Sequence, residues 1–245
     1  MGLLQFTCIN SMKANNYQHL FFDLDRTLWD FDANNKQTFN ELYEKFDLFN
    51  RGIKEPDILY AHYQKINLSL WEEYKHQLIS KETLNFRRFS DTLMLYGIDD
   101  HALALEMGAY YIRISPMKTL LYPGTLEILE RLEKQYQLHI ITNGFEEVQY
   151  IKLEKSGLER FFRKIITSER AGYKKPDRRI FEFAMEEAGA NPENSIIIGD
   201  DPEADIWGAK QFGMDQIWVK HPPVKPAIDS ATFEVDSLLE INKIL

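Results

Sequence analysis

The sequence predicts an α/β protein: a doubly wound, Rossmann-like parallel sheet carrying an inserted all-helical domain. Three observations carry that expectation. The apolar run His19-Leu20-Phe21-Phe22 stops abruptly on Asp23-Leu24-Asp25, as a buried strand does at the carboxyl edge of a parallel sheet. Beyond Thr27 the pattern is helical, with no strand-like run before residue 117. From Tyr122-Pro123-Gly124 onward helix and strand alternate, the rhythm of βαβ units with right-handed crossovers.

The helical stretch begins with Phe39, Leu42, Tyr43 and Phe46, one apolar stripe at i, i+3, i+4, i+7. Pro56 suits the first turn of a second helix that carries Ile58, Leu59, Ile66 and Leu70. Ser80 is placed to cap a third, which ends near Gly97. Asp99-Asp100 opens a fourth, through Leu103 and Met107 towards Ile112. Four consecutive helices form a compact insert, assigned to residues 32–116, and the α/β core takes 17–31 and 117–245. Core helices are expected over 125–133, 148–155, 179–188 and 204–212, and strands over 138–142, 164–167, 195–199 and 216–219. Pro222, Pro223 and Pro226 mark a surface loop before a last short strand and helix. Residues 1–16 read as a disordered leader, with Met12 an alternative start.

At 245 residues and 44% hydrophobic content the chain can bury a full core. A formal charge of -9 argues against binding a nucleic-acid polymer, which needs clustered Lys and Arg. The single cysteine, Cys8, rules out an intrachain disulfide and a cysteine-rich zinc site, and fits a reducing, cytoplasmic setting. No apolar run approaches the ~20 residues that span a bilayer, and the first residues lack a signal-peptide pattern. The partner expected is therefore a small molecule, bound by a monomer or homodimer.

In an open α/β sheet, chemistry collects where the strands end. The expected strands end on Asp23 and Asp25, on Thr142-Asn143-Gly144, and on Gly199-Asp200-Asp201 with Asp205 beyond. Gly172-Tyr173-Lys174-Lys175-Pro176 adds a lysine just before a proline that starts a helix. Lys174 reads as solvent-facing and Lys175 as the functional one. One acidic strand end is weak evidence, whereas this ordered set is specific.

Such a set suits phosphoryl transfer. A phosphate monoester dianion repels an attacking carboxylate unless a divalent cation offsets the charge. Asp23 is placed to attack phosphorus and Asp25 to protonate the leaving oxygen and later activate water. The Thr142 hydroxyl and the backbone around Asn143 and Gly144 offer donors to phosphoryl oxygens. Lys175 supplies fixed positive charge, and Asp200 completes an all-oxygen site that favours one Mg²⁺. Asp201 reads as a helix cap, and Asp205 as a partner of Lys175 or of the metal.

These residues resemble the haloacid dehalogenase (HAD) superfamily phosphatases. The likeness runs from Tyr17 onward, through Asp23-Leu24-Asp25-Arg26-Thr27, Thr142, Lys175, and Gly199-Asp200-Asp201 with Asp205. It implies that Asp23 is the nucleophile and Asp25 the acid/base. It also implies a Mg²⁺ site made by the Asp23 and Asp200 side chains and the Asp25 main-chain carbonyl, and a C1-type cap in the helical insert. Arg26 stands where glycine is commoner. The aspartate at 25 separates the chain from the superfamily's dehalogenases and phosphonatases. Leu70-Trp71-Glu72-Glu73-Tyr74, Ile141-Thr142-Asn143-Gly144-Phe145 and Lys152-Leu153-Glu154 look like the YjjG-type pyrimidine 5′-nucleotidases. The insert is then expected to close over the sheet edge, with Trp71, Tyr74 and Arg88 as substrate contacts and Thr27 and Gly144 beside the phosphate.

Two other readings stand beside this one. A sugar phosphate or phosphoglycolate would fit the same motifs, as would a phosphomutase reaction. A phospho-accepting signalling module also uses acids, a hydroxyl and a lysine, but has no use for a large helical insert. A dinucleotide site is disfavoured because no Gly-x-Gly-x-x-Gly follows the first strand.

Overall fold

The computed structural model describes residues 16–222 and 226–245. The expected leader lies outside them except for Asn16, as does Pro223 of the proline-rich loop, while Pro222 and Pro226 are exposed. Six strands, β1 (His19–Phe22), β2 (Gln137–Thr142), β3 (Phe162–Thr167), β4 (Ser195–Gly199), β5 (Asp215–Val219) and β6 (Phe233–Val235), form one sheet in the order β3-β2-β1-β4-β5-β6. Every pairing is parallel. The chain winds outward in both directions from β1, so the switch point lies between β1 and β4.

Period-two alternation explains the layers. Leu20, Phe22, Ile140, Ile196 and Ile198 face one way, onto Ile128, Leu129, Leu132, Leu238 and Ile241. Phe21, Ile141 and Ile197 face the other way, onto Ile180, Phe181, Ala184 and Phe212. Most of these side chains are fully buried, each contributing about 1.5–3 kcal/mol relative to exposure.

The chain separates into two compact units: one runs to Phe31 and resumes as Thr119–Leu245, and the other is Asp32–Lys118. The second holds four helices, α1 (Phe31–Lys45, whose first residue belongs to the core), α2 (Pro56–Lys75), α3 (Lys81–Met94) and α4 (His101–Ile114). Ser80 and Asp100 cap α3 and α4 through the N–H groups of Thr83 and Leu103. Phe39, Leu42, Tyr63, Phe89, Met107 and Tyr111 make its core. Helix α1 starts two turns before its apolar stripe because Asn34, Asn35 and Thr38 are buried there instead. The segments entering and leaving this unit are tied together: Asp30 N–H donates to Leu120 O and Tyr122 N–H to Leu28 O, both at 3.0 Å. A Trp29–Leu121 bridge joins them as well.

The core helices are α5 (Thr125–Leu132), α6 (Glu146–Lys155), α7 (Ser168–Ala171), α8 (Arg178–Ala188) and α9 (Gly208–Phe212). Three elements differ from the sequence-based expectation. The helix expected over 204–212 is a π-helical turn, Pro202–Trp207, followed by α9. Both Asp205 N–H and Ile206 N–H donate to Asp201 O, which widens the turn. The last helix is a 3-10 segment, Leu238–Lys243, whose buried Leu238 and Ile241 match three residues per turn. Helix α7 was not expected; Thr167 caps it, and Gly172 ends it at φ 76°.

The β1–β2 pairing also brings together two histidines 120 residues apart. His19 Nδ1 lies 3.1 Å from His139 Nε2, and both rings are buried. Burial pushes both imidazolium pKa values down, that of His139 from 6.5 to about 3. The unfolded chain therefore binds more protons below pH 6.5, so stability is full above that value and declines as pH falls towards 3. His139→Phe should flatten the decline. Urea unfolding midpoints across that interval check it, and a slope equal to wild type refutes it.

Candidate active site

The strand ends meet as the alternation requires. Asp23 directly follows β1, and its N–H donates to Ile198 O at the end of β4. The chain then turns sharply: Leu28 and Trp29 N–H both return to Leu24 O, and Arg26 N–H donates to Trp29 O. Arg26 holds φ at 65°, a left-handed conformation that glycine adopts most easily, and its guanidinium lies 4.4 Å from the centroid of the Phe31 ring. Thr27 Oγ1 donates to Asp23 Oδ2 at 3.4 Å.

Lys175 is the centre of the site. Its Nζ donates to Asp23 Oδ1 at 2.7 Å, Asp205 Oδ1 at 2.6 Å and Ile141 O at 2.7 Å, with 1% of the residue exposed. Burial alone would depress the ammonium, but Asp205 and Asp23 outweigh it and hold its pKa above the usual lysine value. Burial pushes the Asp23 carboxyl well up; Lys175 pulls against this, while Asp205 and Asp200 add to the rise. The Asn143 side chain holds the lysine's backbone at both ends: its Oδ1 accepts from Lys175 N–H at 2.8 Å, and its Nδ2 donates to Lys175 O at 2.9 Å. Lys174 is half-buried rather than fully solvent-facing.

The π-turn sets the far wall. Asp205 Oδ2 accepts from Asp201 N–H at 3.0 Å, and Asp201 Oδ1 caps Glu203 and Ala204 as expected. Gly199 makes room, since a Cβ there would fall 2.3 Å from Asp205 Oδ2. Trp218 Nε1 donates to Asp200 O at 3.0 Å and fixes that strand end.

Asp23, Asp200 and Asp205 each offer a carboxylate oxygen within 4.8 Å of the others. Three carboxylates against one lysine leave a surplus of negative charge, and an all-oxygen donor set suits a hard divalent cation such as Mg²⁺. The residues present therefore fit a metal ion.

Asp25 has different partners from Asp23. Gln149 Nε2 donates to its Oδ2 at 2.8 Å and Lys152 Nζ to its Oδ1 at 2.5 Å, leaving its side chain 23% exposed. Gln149 Nε2 also donates to Thr142 Oγ1 at 2.7 Å, as does Gly144 N–H at 3.1 Å. Gln149 was missed in the sequence, where it reads as one more polar residue of a polar helix. Lys152 stood in a resemblance motif without a role.

In the insert, Trp71 and Tyr74 pack edge to face at 5.5 Å near the end of α2. Arg88, the third residue expected to contact substrate, is buried: 2% of it is exposed, its guanidinium lies 4.9 Å from the Tyr111 ring centroid, and it bonds Asn85 on its own helix.

Asp23, Lys175 and the carboxylate cluster thus lie together at the switch point of the sheet. The chain belongs to the haloacid dehalogenase-like hydrolases, whose family model matches residues 20–219. It resembles the crystal structure of the HAD-hydrolase YfnB from Bacillus subtilis bound to magnesium, with 31% identity, 94% of this chain and 99% of that one covered, and a TM-score of 0.83. It is 31% identical to pyrimidine 5′-nucleotidase YjjG of Escherichia coli over 92% of this chain and 96% of that protein. It is also 31% identical to the glyceraldehyde 3-phosphate phosphatase of Methanothermobacter thermautotrophicus, over 82% and 84% respectively. No helix among the described residues is long and apolar enough to cross a membrane.

Proposed function

We propose that this protein is a Mg²⁺-dependent phosphomonoesterase acting through an aspartyl-phosphate on Asp23, with pyrimidine nucleoside 5′-monophosphates as substrates and the cytoplasm as its place. The observation that carries the reading is that two carboxylates leave one strand end with different partners, Asp23 on Lys175 and Asp25 on Gln149 and Lys152. Different surroundings give neighbouring carboxyl groups different tasks.

The Asp23 and Asp200 side chains and the Asp25 carbonyl would hold Mg²⁺, with Asp205 behind them, and the ion would supply charge neutralisation for the phosphate dianion. An Asp23 oxygen attacks phosphorus as the ester oxygen leaves, and Asp25 gives that oxygen its proton. Asp25 then takes a proton from water as the water attacks phosphorus, which releases phosphate and restores Asp23. Lys175 and the Thr142 hydroxyl bind the charge that builds on the phosphoryl oxygens. Trp71 and Tyr74 are the insert's candidates for stacking on the base, worth ~1–3 kcal/mol per contact.

The substrate class is supported by the likeness to a pyrimidine 5′-nucleotidase over nearly the whole chain. The relative named for glyceraldehyde 3-phosphate favours a second reading, a small sugar phosphate in the same site. Phosphate release from pyrimidine and purine monophosphates, glyceraldehyde 3-phosphate and phosphoglycolate separates the two. Preference for a sugar phosphate overturns the nucleotidase reading, and full activity in excess EDTA overturns the metal. Asp25→Asn should slow hydrolysis of nucleotides far more than of p-nitrophenyl phosphate, whose leaving group needs little protonation. Equal losses would give Asp25 another role.

A further inference from the structure

Gln149 and Lys152 lie one helical turn apart on α6 and are 0% and 3% exposed. Burying an amide and an ammonium is costly unless each is bonded. Among the described residues, the side-chain hydrogen bonds that offset the cost go to Asp25 and Thr142. The Lys152 ammonium also lies 4.3 Å from the centroid of Trp29.

Gly144 belongs to the same device. A Cβ at that position would fall 2.0 Å from Gln149 Nε2 and 2.5 Å from its Cδ, so the amide occupies the space a side chain would take. The Asp25 carboxylate accepts hydrogen bonds, which turns the NH₂ end of Gln149 towards it. Both acceptor positions of Thr142 Oγ1 are then filled, by Gln149 and by Gly144 N–H, and its own proton is directed elsewhere.

We infer that Gln149 and Lys152 are positioning residues: together they hold Asp25 by both carboxylate oxygens in one orientation, and Gln149 at the same time sets the Thr142 hydroxyl as a donor to the phosphoryl group. The inference rests on the reaction proposed above. One amide thereby ties the group that moves the leaving oxygen's proton to a group that binds the phosphate.

Gln149→Leu and Lys152→Met keep most of the side-chain volume and remove the polar ends. On a pyrimidine monophosphate, kcat should fall by roughly 100-fold, the loss expected when a catalytic group is misplaced by about an ångström, with KM near wild type. On p-nitrophenyl phosphate Lys152→Met should lose only a few-fold, and Gln149→Leu more, because it also releases Thr142. Lys152→Arg should recover part of the nucleotide rate. In an Asp25→Asn background, Lys152→Met should cost nothing further on p-nitrophenyl phosphate. Equal losses of Lys152→Met on both substrates, or a full additional loss in the Asp25→Asn background, would overturn the inference. Should Gln149→Leu fail to fold, Gly144→Ala displaces the amide without removing it and should show the same substrate-dependent loss; a wild-type rate there would equally refute the role. A wild-type enzyme that hydrolyses neither substrate with Mg²⁺ would refute the reaction itself. An active wild type whose variants ignore the leaving group would refute only the positioning.

Discussion

Asp23→Asn should release phosphate slower than wild type by a factor on the order of 10⁴–10⁶, the scale of loss when a covalent nucleophile is removed. The amide keeps the shape of the side chain but cannot form the acyl-phosphate bond. The same substitution should not destabilise the metal-free protein. Burial and the nearby Asp205 and Asp200 already disfavour charge on Asp23, and Lys175 keeps its bonds to Asp205 and Ile141 without it. A melting temperature in EDTA at or above wild type, together with lost turnover, is the expected pair of results. Retained turnover would remove Asp23 from the reaction, and a sharp loss of stability would make it a structural anchor instead.

Lys175→Met should do the opposite to stability. It leaves Asp23 and Asp205 buried without their shared cation, and breaking a buried pair in this way costs about 3–5 kcal/mol. For a chain of this size that corresponds to a melting temperature lower by roughly 10 °C. Two signatures distinguish this from loss of packing. The deficit should shrink as pH falls, because protonated carboxyl groups no longer need the ammonium. It should also shrink when Mg²⁺ is added, since a divalent cation among the carboxylates replaces the missing charge. Thermal melts of wild type and variant at two pH values, with and without Mg²⁺, measure both. A deficit independent of pH and of Mg²⁺ would mean that Lys175 acts mainly as filler. Turnover should be lost in either case.

The central strands and their polar ends were legible because a parallel sheet writes itself plainly. Its strands are apolar runs, and the residue that breaks each run sits at the one edge where all the ends meet. Asp23, Lys175 and Asp205 therefore meet at that edge, and Thr142 is joined to Asp25 through Gln149. What stayed hidden was set by contacts that no run or period records. Gln149 and Lys152 look like solvated positions until the β2–α6 turn lays that helix against Asp25. The burial of Arg88 leaves no mark in the sequence because its cover, Tyr111, lies on another helix. The contact of His19 with His139 is equally invisible in the sequence, because only the β1–β2 pairing joins them. The π-turn leaves no mark in apolar spacing, yet it carries the aspartate that meets Lys175.

The tie between Asp30 and Leu120, and between Leu28 and Tyr122, makes the insert a cassette. To the sheet, everything from Asp32 to Lys118 is a loop whose two ends are already closed, and closure cost depends only weakly on what the loop contains. The groups assigned to phosphoryl transfer lie outside it, at Asp23 to Thr27, Thr142 to Lys152, Lys175 and Asp200 to Asp205. On the function proposed above, chemistry and substrate choice are inherited as separate texts: the cassette can be rewritten over evolutionary time for a new substrate while the strands keep their register and the reaction keeps its residues.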